Sequence, residues 1–144
     1  MFLHKISPVD SAALDDWLQS LPKRLSVLVV DDYEDDRELM KFFLKSRSIK
    51  VFEASSAEEA INMACAHSPD AIIMDIHMPG DDGIIATAQL KQMTSTRHIP
   101  ILALSNDCDD FSLRENAFKA GCYDCLVKSA TLLEVLLSIK KALT

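Results

Sequence analysis

The sequence predicts an α/β fold built on a parallel sheet, and three observations carry that expectation. Short apolar runs recur along the chain with little alternation, the pattern of strands covered on both faces. Stretches with helical spacing separate them. Charged or hydroxyl residues stand directly after the runs, where the C-terminal edge of such a sheet lies.

In chain order, residues 1–23 precede the alternation. Leu14, Trp17, Leu18 and Leu21 fall at i, i+3, i+4 and i+7, which predicts a short amphipathic helix stopped by Pro22. This extension is either a strut packed on the domain or a docking or dimerisation surface. Residues 24–144 then form one domain. Leu25–Val30 is the first apolar run, and further runs lie at Val51–Phe52, Ala71–Met74, Ile99–Leu104 and Tyr123–Val127. Leu39, Phe42, Phe43 and Ser46 fit one face of the first intervening helix. Ser56-Ala-Glu-Glu59 is a capping box, and the helix it opens is expected to bury Ala60, Ile61, Ala64 and Cys65. A third helix is expected from about Gly83 to Met93. A fourth should run from about Asp110 to Ala120, stopped by Gly121. Thr131-Leu-Leu-Glu134 is a second capping box, opening a last helix with Leu132, Val135, Leu136 and Ile139 inward. Five strands alternating with five helices imply right-handed crossovers.

Composition narrows the function classes. With 144 residues the chain has room for one well-cored domain. Hydrophobic residues make up 49% and charged residues 26%, the balance of a soluble globular protein. The formal charge is −7, with no basic cluster, which disfavours a nucleic-acid partner. No apolar run has the length to span a bilayer, and no signal-peptide pattern opens the chain. The expectation is a cytoplasmic protein with no membrane partner. Cys65, Cys108, Cys122 and Cys125 are sparse and are read as thiols. The pair Cys122-x-x-Cys125 lacks a second ligand pair and sits on an apparent strand, so it is taken as coincidence rather than a zinc or redox motif.

The residues that end the strands carry the chemistry. Asp31 and Asp32 follow the first strand, Asp75 the third, Ser105 the fourth and Lys128 the fifth. From Asp32 to Asp75 is about two strand–helix units, and each later step is about one. Three carboxylates, a hydroxyl and an ammonium should therefore converge at one edge. Clustered carboxylates repel and require a cation. Oxygen ligands without imidazole or thiolate favour Mg2+. Such a site can bring a phosphoryl group to a carboxylate nucleophile, with Lys128 and Ser105 contacting its oxygens. Each residue alone has a plainer reading: a solvated turn or helix cap for Asp31-Asp32 or Ser105, a surface charge for Lys128. Asp75, set between Met74 and Ile76, is harder to read that way, because a buried carboxylate without a partner is costly.

Over residues 25–143 these motifs resemble the receiver domain of bacterial two-component response regulators. The resemblance rests on Val-Leu-Val-Val-Asp31-Asp32, Ile-Ile-Met-Asp75-Ile-His-Met-Pro79-Gly-Asp-Asp-Gly83, Ile-Leu-Ala-Leu-Ser105 and Cys-Leu-Val-Lys128. It implies a flavodoxin-like doubly wound (βα)5 sandwich, sheet order 2-1-3-4-5, here with the extra N-terminal helix. By the same resemblance Asp75 is the phosphoacceptor, and Asp31, Asp32, Asp75 and the backbone carbonyl of His77 hold Mg2+. Ser105 is then the switch hydroxyl, and Lys128 contacts the phosphoryl group. The implied donor is a sensor histidine kinase or a histidine phosphotransfer protein, and the output is binding of a downstream protein target. A second copy of the chain, as a homodimer, is a further candidate partner. The domain would be a regulated acceptor that sheds phosphate slowly by itself, not an enzyme acting on a separate substrate. The His77 side chain is read as an exposed loop group, at a position that in the family tunes dephosphorylation.

Three positions depart from the family pattern. Cys125 stands where an aromatic residue usually lies three positions before the lysine, and Tyr123 is expected on the same strand face. Ser129 replaces the usual proline after the lysine, so a trans bond is expected there. Asn106 is larger than the residue that normally follows the switch hydroxyl, which predicts restricted access and slow dephosphorylation. The competing readings are a pseudo-receiver that binds proteins without phosphate, a flavodoxin-like electron carrier and a metal-dependent phosphohydrolase. The acidic run Asp31-Asp32-Tyr33-Glu34-Asp35-Asp36 disfavours the electron carrier, because that loop would repel a phosphate. No insertion large enough for a phosphohydrolase cap is evident. No output domain fits after residue 144, so the chain either acts by binding a target or is cut from a longer regulator.

Overall fold

In a computed structural model the chain is described over residues 8–78, 81–106, 110–130 and 132–144, with only the backbone described at 8–10, 77 and 81. The elements are α1 (Pro8–Ser20), β1 (Ser26–Val30), α2 (Glu34–Ser46), β2 (Lys50–Ala54), α3 (Ala57–His67) and β3 (Ala71–Asp75). They continue with β4 (His77–Met78), β5 (Asp81–Asp82), α4 (Gly83–Gln92), β6 (Ile101–Ser105), α5 (Phe111–Ala120), β7 (Asp124–Val127) and α6 (Leu132–Leu143).

Five strands form one parallel sheet in the order β2-β1-β3-β6-β7. Counting these strands alone, this is the expected order 2-1-3-4-5. The two-residue strands β4 and β5 pair antiparallel beside it. Strands β3 and β6 are buried at every position. Their side chains alternate between two cores. Leu28, Val30, Ile72, Met74, Ile101 and Ala103 face α3, α4 and α5. Val27, Val29, Ala71, Ile73, Leu102 and Leu104 face α1, α2 and α6. Each fully buried Leu or Ile contributes on the order of 2 kcal/mol of transfer free energy.

The N-terminal helix belongs to the second core. Leu14 is fully buried, and Trp17, Leu18 and Leu21 pack around it. An ion pair joins Asp15 of α1 to Arg47 at the end of α2.

Two expected helix faces are corrected. On α2 the core takes Met40 and Leu44, while Leu39 and Phe42 are exposed. Five apolar residues crowd Leu39–Leu44, so the apolar pattern alone leaves the rotation of the helix open. Arg37 and Lys41 both pair with Glu53 of β2, on the side of the helix where Met40 and Leu44 are buried against the sheet. On α3, Ala60 and Ala64 are buried and Ile61 half-buried, but Cys65 is exposed. One residue beyond an i, i+4 pair lies about 100° around the helix.

The caps follow the sequence closely. Ser56 Oγ accepts from the Glu59 amide at 3.1 Å, and the Glu59 carboxylate accepts from the Ser55 hydroxyl. Asp110 caps α5, and Gly121 closes it in the left-handed region at φ 113°. Asp82 caps α4 through the Ile84 amide. Thr131, first residue of the second capping box, lies outside the described residues. On α6, Val135, Leu136 and Ile139 are buried and Leu132 half-buried. Tyr123 stands just before β7 and is 47% exposed, whereas Cys125 is buried in the first core. The tyrosine therefore does not replace an aromatic residue at Cys125.

Candidate functional site

Parallel register brings the site together. Val30 pairs with Met74, Asp75 with Leu104 and Ser105 with Val127. Asp31, Asp75, Ser105 and Lys128 therefore end four neighbouring strands at about one level. The Asp31 amide continues the ladder to Ala54 O, and the Lys128 amide donates to Ser105 O at 3.0 Å.

Asp31 and Asp75 are 6% and 2% exposed, and Asp32 is open to solvent. One carboxylate oxygen from each of the three lies within 4.8 Å of the others. Lys128 Nζ lies 3.1 Å from Asp75 Oδ2, 3.3 Å from Asp31 Oδ2 and 3.5 Å from Asp36 Oδ2. Burial disfavours the charged ammonium, yet Asp75 and Asp31 together outweigh it and hold the Lys128 pKa above its ordinary value. Three carboxylates against one ammonium leave the cluster doubly negative, and all its donors are oxygens. That donor set fits a hard divalent cation.

The loop after β1 is held from behind. Asp31 Oδ1 accepts from the Tyr33 amide at 2.9 Å, and the Asp31 carbonyl accepts from Arg37 at 2.8 Å. Behind Asp75 the packing is closer still. A Cβ on Gly83 would stand 2.4 Å from the Asp75 carbonyl oxygen and 2.8 Å from Ile76 Cα. Only glycine lets the start of α4 approach this edge.

Of the residues anticipated from sequence, Asp31, Asp32, Asp75 and Lys128 lie together. Ser105 is fully buried at the end of β6, one ladder step from Lys128. The His77 backbone stands in β4, two residues beyond Asp75. Asn106 is exposed and lines a cavity of about 370 Å³ with Asp31, Asp36, Lys128, Ser129 and Leu132. The bond between Lys128 and Ser129 is trans. Sequence reasoning missed Asp36 and Arg37. Their position in the first turn after an aspartate pair was a usable signal, since that turn faces the strand tips.

Cys122 lies two residues before β7 and Cys125 within it; both are buried thiols. Burial pushes the Cys122 thiol up to about 11, against a weaker opposing hydrogen bond to Thr87. Neither thiol reaches the acidic cluster as a ligand. Among the described residues, no helix is long and apolar enough to cross a membrane.

Known proteins resemble this chain in sequence and in fold. The family model of the response regulator receiver domain matches residues 27–140. The transcriptional regulatory protein ResD of Bacillus subtilis is 33% identical over 117 residues, covering 81% of this chain and 47% of that protein. The chain thus spans about half the length of such relatives. Among solved structures, a two-component response regulator from Clostridium difficile has a TM-score of 0.75 at 26% identity, covering 83% of this chain and 96% of that one. The receiver domain of a sensor histidine kinase from Pseudomonas aeruginosa, solved with magnesium in its active-site cleft, has a TM-score of 0.76 at 26% identity, covering 84% and 98%. With strand order, acidic cluster and family match in agreement, this chain belongs to the response regulator receiver domain family of two-component systems.

Proposed function

We propose that the domain is a phosphorylation switch that accepts a phosphoryl group on Asp75. The observation that carries this is the setting of Asp75, a carboxylate 2% exposed, 3.1 Å from the Lys128 ammonium and clustered with two further carboxylates. Burial and the ion pair with Lys128 fix this carboxylate at the strand edge, which supports its role as the acceptor. Its oxygen forms a bond to phosphorus while the bond from phosphorus to the donor's imidazole nitrogen breaks, the electron pair leaving with the nitrogen. Asp31, Asp32, Asp75 and the His77 carbonyl would hold Mg2+, which when bound would neutralise charge on the transferring oxygens. Lys128 neutralises a further oxygen, and the Ser105 hydroxyl donates to the bound group.

The donor is a sensor histidine kinase or a histidine phosphotransfer protein, and the phosphorylated form binds a downstream protein target. Loss of phosphate follows attack by water on phosphorus, with the Asp75 carboxylate as leaving group, so the domain turns over only its own phosphate. We place it in the cytoplasm, where such donors present their phosphohistidine. A net charge of −7 makes a protein rather than a nucleic acid the direct partner of this domain.

Incubation with Mg2+ and acetyl phosphate, read by intact mass, tests the proposal. A gain of one phosphoryl group in wild type and none in Asp75→Asn supports it. Wild type that stays unmodified with donor in excess identifies a pseudo-receiver instead.

A further inference from the structure

Lys128 stands among three carboxylates with unequal roles. Asp75 and Asp31 belong to the cluster of three whose oxygens converge. Asp36, in the first turn of α2, lies outside that cluster, and its Oδ2 is 3.5 Å from the same ammonium. A divalent cation entering the cluster takes oxygens of Asp31 and Asp75, the groups that Lys128 engages. Cation and ammonium therefore compete, and in a site this buried the displaced ammonium needs another counter-charge.

We propose that Asp36 is a positioning residue that receives Lys128 when Mg2+ enters, resting on the proposed Mg2+ site at Asp31, Asp32 and Asp75. Two observations carry this. The Asp36 carboxylate already touches the ammonium and is half-exposed, so moving toward it carries Lys128 from a dry to a wetter setting. Space is present for that movement, since the cavity of about 370 Å³ is lined by Asp31, Asp36, Asn106 and Lys128 together. A long flexible lysine needs only side-chain rotations to exchange partners. The exchange releases Asp31 and Asp75 from the ammonium while keeping it within reach of an incoming phosphoryl group. Without Asp36, Lys128 stays on Asp31 and Asp75 and opposes the metal.

Calorimetric titration of the whole chain with MgCl2 tests this without any phosphoryl transfer. Asp36→Asn is expected to weaken Mg2+ binding about 3- to 10-fold, and Asp36→Glu to restore most of the affinity. In a Lys128→Met background Asp36→Asn should change the affinity by less than about 2-fold, because the residue acts through the lysine. Unchanged affinity in Asp36→Asn overturns the proposal. So does an equal loss in both backgrounds, which would make Asp36 a direct electrostatic contributor. Thermal melts of each variant confirm folding, and Asp36, exposed on a helix end, tolerates the isosteric change. Wild type that binds no Mg2+ overturns the metal site itself, whereas normal wild-type binding with an unaffected Asp36→Asn overturns only the role of Asp36.

Discussion

Lys128 Nζ lies 3.1 Å from Asp75 Oδ2, joining two residues 53 positions apart in the chain. Both stand directly at strand ends, and β6 separates their strands in the sheet. The contact is a consequence of parallel register, and everything near it inherits that precision. Its neighbours can be probed one at a time.

Gly83 is the steric probe. The 2.4 Å approach to the Asp75 carbonyl means that Gly83→Ala must push the acceptor's backbone. Overpacking of this kind costs about 1–3 kcal/mol. We expect a lower urea midpoint together with slower phosphorylation by acetyl phosphate, whereas Gly121→Ala should lower stability alone.

Metal binding gives a second measurement. Mg2+ at 100 times its dissociation constant should stabilise the fold by about 2.7 kcal/mol. Scanning calorimetry with MgCl2 and then with EDTA checks this. Asp32→Asn should lose most of the shift, and its metal-free form should melt no lower than wild type, because one repelling charge is gone.

Asn106 tests access. It lines the cavity beside Lys128, and on the proposed switch reading its side chain is expected to hinder water approaching phospho-Asp75. Asn106→Ala should shorten the phosphoprotein half-life about 2- to 5-fold, at most about 1 kcal/mol of barrier. Equal decay rates would remove this residue from the account.

Leu14 reports on the N-terminal helix. It is fully buried against the second core, so Leu14→Ala should cost about 2–5 kcal/mol by denaturant unfolding. A loss under about 0.5 kcal/mol would show that α1 is not integral to this core.

Cys122 predicts a pH dependence. Its thiol titrates at about 11 when folded against 9.0 ordinarily. Above pH 9 the unfolded chain releases the proton and the folded chain keeps it, so stability falls as pH rises toward about 11. The slope is at most about 1.4 kcal/mol per pH unit. Urea unfolding at pH 8, 9, 10 and 11 should show this extra slope in wild type and not in Cys122→Ala.

Much of this is legible in the sequence. Strands such as Ile101–Ser105 are apolar up to their last residue, and Asp110 and Gly121 mark the ends of α5 locally. Asp31, Asp32, Asp75, Ser105 and Lys128 could be collected because strand ends in a parallel sheet share one edge. Helix rotation was less accessible. Leu39 and Phe42 are as apolar as Met40 and Leu44, and only the packing of α2 on the sheet, with Arg37 and Lys41 paired to Glu53 of β2, puts the latter two inside.

By itself the sequence determined the periodicities, the caps and the order of the polar strand ends, because these depend on neighbours within a few residues. Tertiary structure alone decided which helix faces are buried, that Gly83 must admit the Asp75 backbone, and that Asp36 shares Lys128 with Asp31 and Asp75. Those outcomes depend on distances of a few ångströms between remote segments. Side-chain packing and charge pairing set such distances only once the sheet has closed.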